Sequence, residues 1–296
     1  MHGDKAAGRD FRNHMRSCVE HLGFTACLAD PDIWMRPATK SNGREHYEHV
    51  LSCTDYALQM SDEAEDIFRN QIGKHFAAKK GSISPPTRCL GAIVRKVQLD
   101  NMAEALAFSS SQCVRAATKN VENYLKKKGM SSPKSTDLPL PTCCRSELDV
   151  APELSVEDVA YFQLLIGVLR RIVELVRVHV HLEASMMASC ASLPRGGHLE
   201  ILHRTFSHLK KHHVTEMVFG PSKPSINNND FERKDWSCSE FSSSIKKDRE
   251  LHPRTPTPRG VGFVIIRKVD ADHAGDTIRR RSRTGFVVHL HSSPVC

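Results

Sequence analysis

The stretch that most constrains this chain runs from residue 48 to residue 60, where two short apolar segments flank a polar turn. Val50 and Leu51 precede the turn, and Leu58 follows it. The pattern predicts a β-hairpin with the carboxylate of Asp55 at its tip. A carboxylate in that position can serve as a metal ligand. Aspartate also favours turns because its side chain bonds its own backbone, so an ordinary hairpin is the alternative.

Three short motifs precede this hairpin in a fixed order. They are His2-Gly3-Asp4-Lys5, Leu22-Gly23-Phe24 and Ala29-Asp30-Pro31. In this order they resemble the palm of copia-type reverse transcriptases, which belong to long-terminal-repeat retrotransposons and whose catalytic turn reads Tyr-Val-Asp-Asp. The first aspartate of that turn corresponds to Asp55. Cys53 stands in place of its tyrosine and Tyr56 in place of its second aspartate.

The resemblance implies RNA-directed DNA polymerisation, which uses two metal ions held by carboxylates. Asp55 supplies one ligand, whereas the neutral phenol of Tyr56 is a poor ligand for a hard cation. The family's other palm aspartate would lie upstream of Lys5, a residue for which the resemblance implies contact with nucleic acid. We therefore expect an incomplete metal site and no polymerase activity. Magnesium is the expected cofactor if any activity is retained, and no small-molecule cofactor is expected.

The next motif of the family is a Leu-Gly dipeptide at which a strand hairpin grips the primer, and Leu90 and Gly91 match it. A plain pair of strands is the alternative interpretation. A helix is predicted over residues 109–129, with Lys126 and Lys127 in its last turn. Those lysines either contact backbone phosphates or complement the helix dipole in water.

Apolar residues then recur at helical steps and predict three mutually packed helices over residues 155–174, 179–190 and 197–212. The first resembles the family's Tyr-x-x-Leu-Ile-Gly-x-Leu helix, and the three together resemble the thumb and connection region. Arg177 and His179 stand where many members have Arg-Pro-Asp, so His179 replaces an acid.

Near its end the chain carries Asp270 and Asp272, followed by Arg280 and Arg281. These residues resemble the opening hairpin of the element's ribonuclease H domain, which reads Asp-Ala-Asp-Trp-Ala-Gly and then Arg-Arg-Ser-Thr-Ser-Gly. From chemistry alone the two acids could bind magnesium, and a polar turn is the alternative. The resemblance makes Asp270 the remnant of the first catalytic acid in an incomplete site. The two arginines either face phosphates or stay in water.

Composition narrows the class of partner. Lys and Arg number 42 against 34 Asp and Glu, a formal net charge of +8, which favours a polyanion such as nucleic acid. A basic protein without such a partner is the alternative. The resemblance makes an RNA or DNA template-primer the ancestral partner. His208 and His212 have helical spacing, but a third zinc ligand at a recognised spacing is missing.

The 10 cysteines are scattered without a Cys-x-x-Cys pair, which predicts a reduced, intracellular protein of the cytoplasm or nucleus. No signal peptide, transmembrane segment or membrane partner is expected, and the sequence gives no oligomeric state.

We expect an α+β architecture with a partial palm, a helical thumb and connection region, and an incomplete ribonuclease H-like hairpin. The predicted segments are a partial palm and primer-grip region (1–130), a linker (131–154), the helical region (155–220), a polar linker or disordered insert (221–259) and the start of a truncated ribonuclease H-like domain (260–296). The functional prediction is a retrotransposon-derived reverse transcriptase fragment without catalysis. The alternative is a domesticated nucleic-acid-binding protein that uses a basic surface.

Overall fold

The structure is a computed structural model that describes residues 6–52, 57–61, 63–77, 79, 81–142, 144–224, 252–260 and 262–295. The fold is α+β, as predicted, and its strands pair antiparallel. The chain divides into two compact units. One consists of Met1–Pro86 with Ser225–Gly262, and the other of Thr87–Pro224 with Phe263–Cys296. The boundaries predicted at residues 130, 154, 220 and 259 do not coincide with this division.

The first unit packs helical segments against a four-stranded sheet of order β1-β2-β3-β4. Its elements are α1 (Ala7–His21), β1 (Thr25–Ala26), β2 (Ile33–Thr39), β3 (Glu45–Ser52), β4 (Ala57–Met60) and α2 (Ala64–Asp66). Helix α1 buries Met15, Cys18 and Val19, the stripe predicted from their spacing. It ends before Gly23, whose φ of +84° is a left-handed conformation that glycine adopts without strain.

Two elements of the first unit depart from regular form. Strand β2 continues through Pro37, a residue without an N–H to donate to the sheet. Because β1 pairs only with Trp34 and Met35, the strand is open on that side at Pro37 and tolerates a residue without an N–H. The helix predicted after residue 61 is present, but beyond α2 it continues as a π-helix (Ile67–Gln71) and a 3-10 helix (Ile72–Lys74).

The second unit contains two sheets and four long helical elements. They are β5 (Arg88–Cys89), β6 (Ala92–Gln98), β7 (Glu104–Ser109), α3 (Ser111–Lys127), α4 (Val156–Glu174), α5 (His181–Ser189), α6 (Gly196–Lys211), β8 (Glu216–Phe219), β9 (Ile265–Ala271), β10 (Thr284–Leu290) and β11 (Ser293–Pro294). The sheet orders are β5-β6-β7-β8 and β11-β10-β9. The three helices predicted between residues 155 and 212 are confirmed as α4, α5 and α6.

These helices share one apolar core with α3. Phe162, Leu169, Met187 and Leu202 are fully buried in it, and burial of such side chains contributes about 1.5–3 kcal/mol each. The start of α4 is fixed by Ser155, whose Oγ accepts a hydrogen bond from the Asp158 N–H at 3.2 Å.

Aromatic stacking and a charged hydrogen bond join α3 to α4. The rings of Tyr124 and Tyr161 stack with centroids 3.5 Å apart. The Tyr124 hydroxyl donates to Asp158 Oδ1 at 2.5 Å, and Lys128 Nζ lies 3.0 Å from the same oxygen. Hydrogen bonds from Tyr124, Ser155 and Lys128 lower the pKa of Asp158 to about 2. Lys128 therefore has a structural partner within the helical region.

Residues 131–154, predicted as a linker, lie inside the second unit and contact α6. Arg204 donates to Thr136 Oγ1 at 3.0 Å and to the Leu138 carbonyl at 3.3 Å. Asp149 Oδ2 accepts from the backbone N–H of His198 at 3.0 Å, and its Oδ1 accepts from the Ala151 N–H. The segment thus supplies a cap to the first turn of α6.

The C-terminal hairpin is formed as predicted. Asp270 near the end of β9 pairs with Gly285 near the start of β10. The hairpin docks on the rest of its unit, since Arg145 Nη1 donates to the Gly275 carbonyl at 2.7 Å and the Gly220 N–H donates to Ser293 Oγ at 3.0 Å. Most of the predicted polar insert, residues 225–251, lies outside the described residues. In the described part of the chain, no helix has both the length and the apolarity to cross a membrane.

Candidate nucleic-acid interface

The hairpin that would carry the polymerase turn is formed on both sides of the turn. Strands β3 and β4 pair antiparallel from His49↔Met60 to Ser52↔Ala57. Asp55 itself lies outside the described residues, as does Lys5, so the exposure of Asp55 stays a prediction.

The acids of the C-terminal hairpin differ in their surroundings. Asp270 is exposed on β9. Asp272 accepts a hydrogen bond from the backbone N–H of Arg283. Asp276 is buried and accepts from the N–H groups of Ile278 and Arg279 at 3.1 and 2.8 Å, which hold its pKa below the usual range. Two of the three carboxylates therefore organise the connecting loop.

Magnesium is the ion that the resemblance implies, and its fit can be judged from the donors present. Carboxylates that bind Mg²⁺ must direct free oxygens at a common point. Asp272 instead uses Oδ1 on a loop amide. Across the described ranges, no group of three or more His, Cys, Asp or Glu is placed to hold a metal ion. The Oδ1 of Asp272 is therefore engaged by the loop, which leaves Asp270 as the exposed acid of β9 for such an ion.

One face of this hairpin carries exposed apolar side chains, with the Arg267 guanidinium over the Phe286 ring. The register places Phe286 opposite Val269 and Leu290 opposite Ile265, and residues two apart on a strand share a face. Ile265, Val269 and Phe286 are 70%, 56% and 48% exposed. In a sheet of so few strands, such an apolar face is normally covered by other elements.

Leu90 and Gly91 form the tight turn between β5 and β6. Both have a positive φ, 51° and 96°, the backbone of a two-residue turn that favours glycine. Arg171 on α4 donates from Nη2 to the Leu90 carbonyl at 2.5 Å. This bond holds the turn against α4. The Leu90 side chain is exposed to solvent.

The lysines at the end of α3 divide into two kinds. Lys126 and Lys127 are exposed, and the ion pairs of the described residues include neither. Lys128 pairs with Asp158. On α6, Lys210 pairs with Glu122, and Lys211 pairs with Asp137. Lys126 and Lys127 therefore present exposed positive charge in the last turn of α3, as Arg115 and Lys119 do earlier in the helix.

Arg280 and Arg281 lie in the loop between β9 and β10, and both are exposed. Arg280 has a φ of 56°. The Arg281 carbonyl accepts from the Asp276 N–H at 3.1 Å, and the Arg280 N–H donates to the Asp276 carbonyl at 2.8 Å. The loop backbone is thus ordered by hydrogen bonds while both guanidinium groups reach solvent.

Sequence reasoning missed one functional candidate, the buried Arg177. The resemblance assigns it only to a family motif, although the residues on either side of it indicate a buried charge. It lies between Val176 and Val178, and an isolated charge within an apolar run at a helix end indicates a buried charge. His179 and His208 lie beside one another, with ring centroids 5.7 Å apart.

Comparisons of the chain with protein-family models, with curated proteins and with solved structures find no match.

Proposed function

We propose that this chain derives from a copia-type reverse transcriptase and no longer performs either metal-dependent reaction of that family. The observation that carries the proposal is the agreement between motif order and element type. Leu90 and Gly91 occupy a hairpin turn, and the Tyr161 to Leu169 motif lies within α4. These two motifs thus lie on elements of the type that the resemblance implies, which supports the proposal.

Loss of polymerase activity is argued from the ligand set. In-line displacement at phosphorus uses two metal ions to stabilise the attacking and leaving oxygens. Tyr56 replaces one of the turn acids, and a phenol does not substitute for a carboxylate on Mg²⁺.

Loss of ribonuclease H activity is argued from the C-terminal hairpin. Asp272 accepts a hydrogen bond from a loop amide, so one of its two oxygens is engaged away from a metal ion. The partly exposed apolar side chains of β9 and β10 form the kind of surface on which further elements of a ribonuclease H domain would pack.

Cleavage of the RNA strand of an RNA–DNA hybrid tests this proposal. The full chain with Mg²⁺ or Mn²⁺ should leave the hybrid intact. Cleavage that disappears in Asp270→Asn would show a working site and overturn the proposal.

A second candidate function is nucleic-acid binding by a basic surface, and the exposed pair Lys126 and Lys127 favours it. Filter binding across a salt series tests it, because each phosphate contact contributes a slope of roughly −0.9 to log K against log salt. A binder should lose roughly 1.8 of that slope in the double variant Lys126→Gln/Lys127→Gln. Lys119→Gln, on the same helix outside its last turn, is the matched control. Weak binding without a salt slope contradicts this candidate.

A further inference from the structure

Arg177 is fully buried, with 0% relative exposure, where the chain passes from α4 to α5. Its Nη2 donates to the His212 carbonyl. Its Nε and Nη1 have no hydrogen-bond partner among the described residues. Burial lowers the pKa of Arg177, and a carboxylate that would raise it again is missing from the described surroundings.

A buried guanidinium without a counter-charge is a costly arrangement. Arginine does not lose its proton in proteins, so it cannot become neutral as a buried lysine does. A buried guanidinium left without its counter-charge is strongly destabilising. A negative charge beside Arg177 would therefore stabilise the folded protein.

Three histidines surround the same place, and their rings are close. The rings of His208 and His212 lie 4.6 Å apart, and those of His179 and His208 lie 5.7 Å apart. His208 Nδ1 and His212 Nε2 are buried atoms without a hydrogen-bond partner in the described structure. We define the arginine–histidine cluster as Arg177, His179, His208 and His212.

Burial lowers the pKa of both His179 and His208, which disfavours a charge on either ring. The charges of His212 and Arg177 lower the pKa of His208 further. A neutral imidazole still donates one N–H. Asp137 is the acid that reaches the cluster within the described ranges, 3.5 Å from His212 Nε2, but it bonds Lys211 at 2.6 Å.

We propose that the arginine–histidine cluster binds a compact inorganic anion, of the phosphate, sulfate or chloride class. Its unpartnered donors are Nε and Nη1 of Arg177, and its one permanent charge is positive. A metal cation is disfavoured because Arg177 would repel it. The backbone of a nucleic acid is too bulky to reach a fully buried guanidinium, whereas the exposed edge of His179 gives a small ion a way in.

Thermal unfolding of the full chain tests the proposal. The protein is dialysed into sodium gluconate, whose anion is too large for the cluster, and gluconate is replaced by phosphate, sulfate or chloride at constant ionic strength. At a hundredfold excess of anion over its Kd, the melting temperature should rise by several degrees. Calorimetric titration of inorganic phosphate into the wild-type chain measures the same binding without any variant.

Two variants separate a bound ion from a general salt effect. His179→Asp places a carboxylate beside Arg177, so it should melt higher than wild type in gluconate and lose the anion-dependent rise. Arg170→Met removes an exposed arginine of α4 and should keep the wild-type rise. A rise with phosphate and sulfate alone indicates an oxyanion, and a rise that includes chloride indicates a site of lower selectivity. An equal rise in wild type and His179→Asp, together with no binding heat, would refute the proposal.

Discussion

Replacing Gly197 by alanine should destabilise the second unit far more than the same change at the adjacent glycine. A Cβ at Gly197 would lie 2.6 Å from Asp149 Oδ2 and 2.8 Å from its Oδ1. Asp149 would have to move, although it accepts from His198 N–H at 3.0 Å and from Ala151 N–H at 2.9 Å. Gly196 is the matched control, because a Cβ there would meet Ala151 Cβ at an ordinary 3.5 Å.

The magnitude follows from the interactions that Asp149 would lose. A helix cap contributes about 0.5–2 kcal/mol, and the second hydrogen bond about 1 kcal/mol. We therefore expect Gly197→Ala to lower the free energy of unfolding by about 1.5–3 kcal/mol. Gly196→Ala should be neutral or stabilising, since alanine has the higher helix propensity.

Urea unfolding of both variants, followed by far-ultraviolet circular dichroism, measures the difference. The double variant Gly197→Ala/Asp149→Ala should lose little more than Asp149→Ala alone, because the clash is with that carboxylate. Equal midpoints for Gly196→Ala and Gly197→Ala would show that residues 131–154 do not cap α6.

Two further substitutions test the helical region. Val176 has a φ of +76° just after the end of α4, a backbone conformation that favours glycine. Val176→Gly should therefore raise the free energy of unfolding by about 1 kcal/mol, whereas the control Val178→Gly should lower it. Chemical denaturation of both variants measures the difference. Burial lowers the pKa of His203 to about 4, below its unfolded value of about 6.5, so the unfolded state binds the proton first. The free energy of unfolding should fall by about 3 kcal/mol as pH drops from 6.5 to 4. His203→Leu should remove this dependence on pH, whereas the control His181→Leu, at an exposed histidine, should keep it. Unfolding midpoints measured across this pH range test the prediction.

The helices were predictable because their cores are periodic. Apolar residues at three- and four-residue steps placed α1, α4 and α6 within two or three residues of their bounds. The C-terminal hairpin was equally accessible, since β-branched and aromatic residues flank its glycines. These signals are local, so a single sequence contains them.

What the sequence did not predict depends on contacts between distant residues. The role of residues 131–154 arises from Asp149 meeting His198, 49 positions later. The burial of Arg177 arises from packing against α6, where the His212 carbonyl accepts its bond. Likewise, among the described residues, Lys128 is paired and its neighbours Lys126 and Lys127 are not, because Asp158 lies within reach of Lys128 alone of the three. Composition cannot distinguish these cases, because the residue types are the same.

Primer extension on an RNA template tests most directly whether this chain has lost polymerase activity. The full chain is incubated with template-primer, deoxynucleotides and Mg²⁺ or Mn²⁺, with Asp55→Ala as the matched control. Our account predicts that wild type and Asp55→Ala both give only the background of a reaction without protein. Template-dependent extension by wild type that disappears in Asp55→Ala would contradict it.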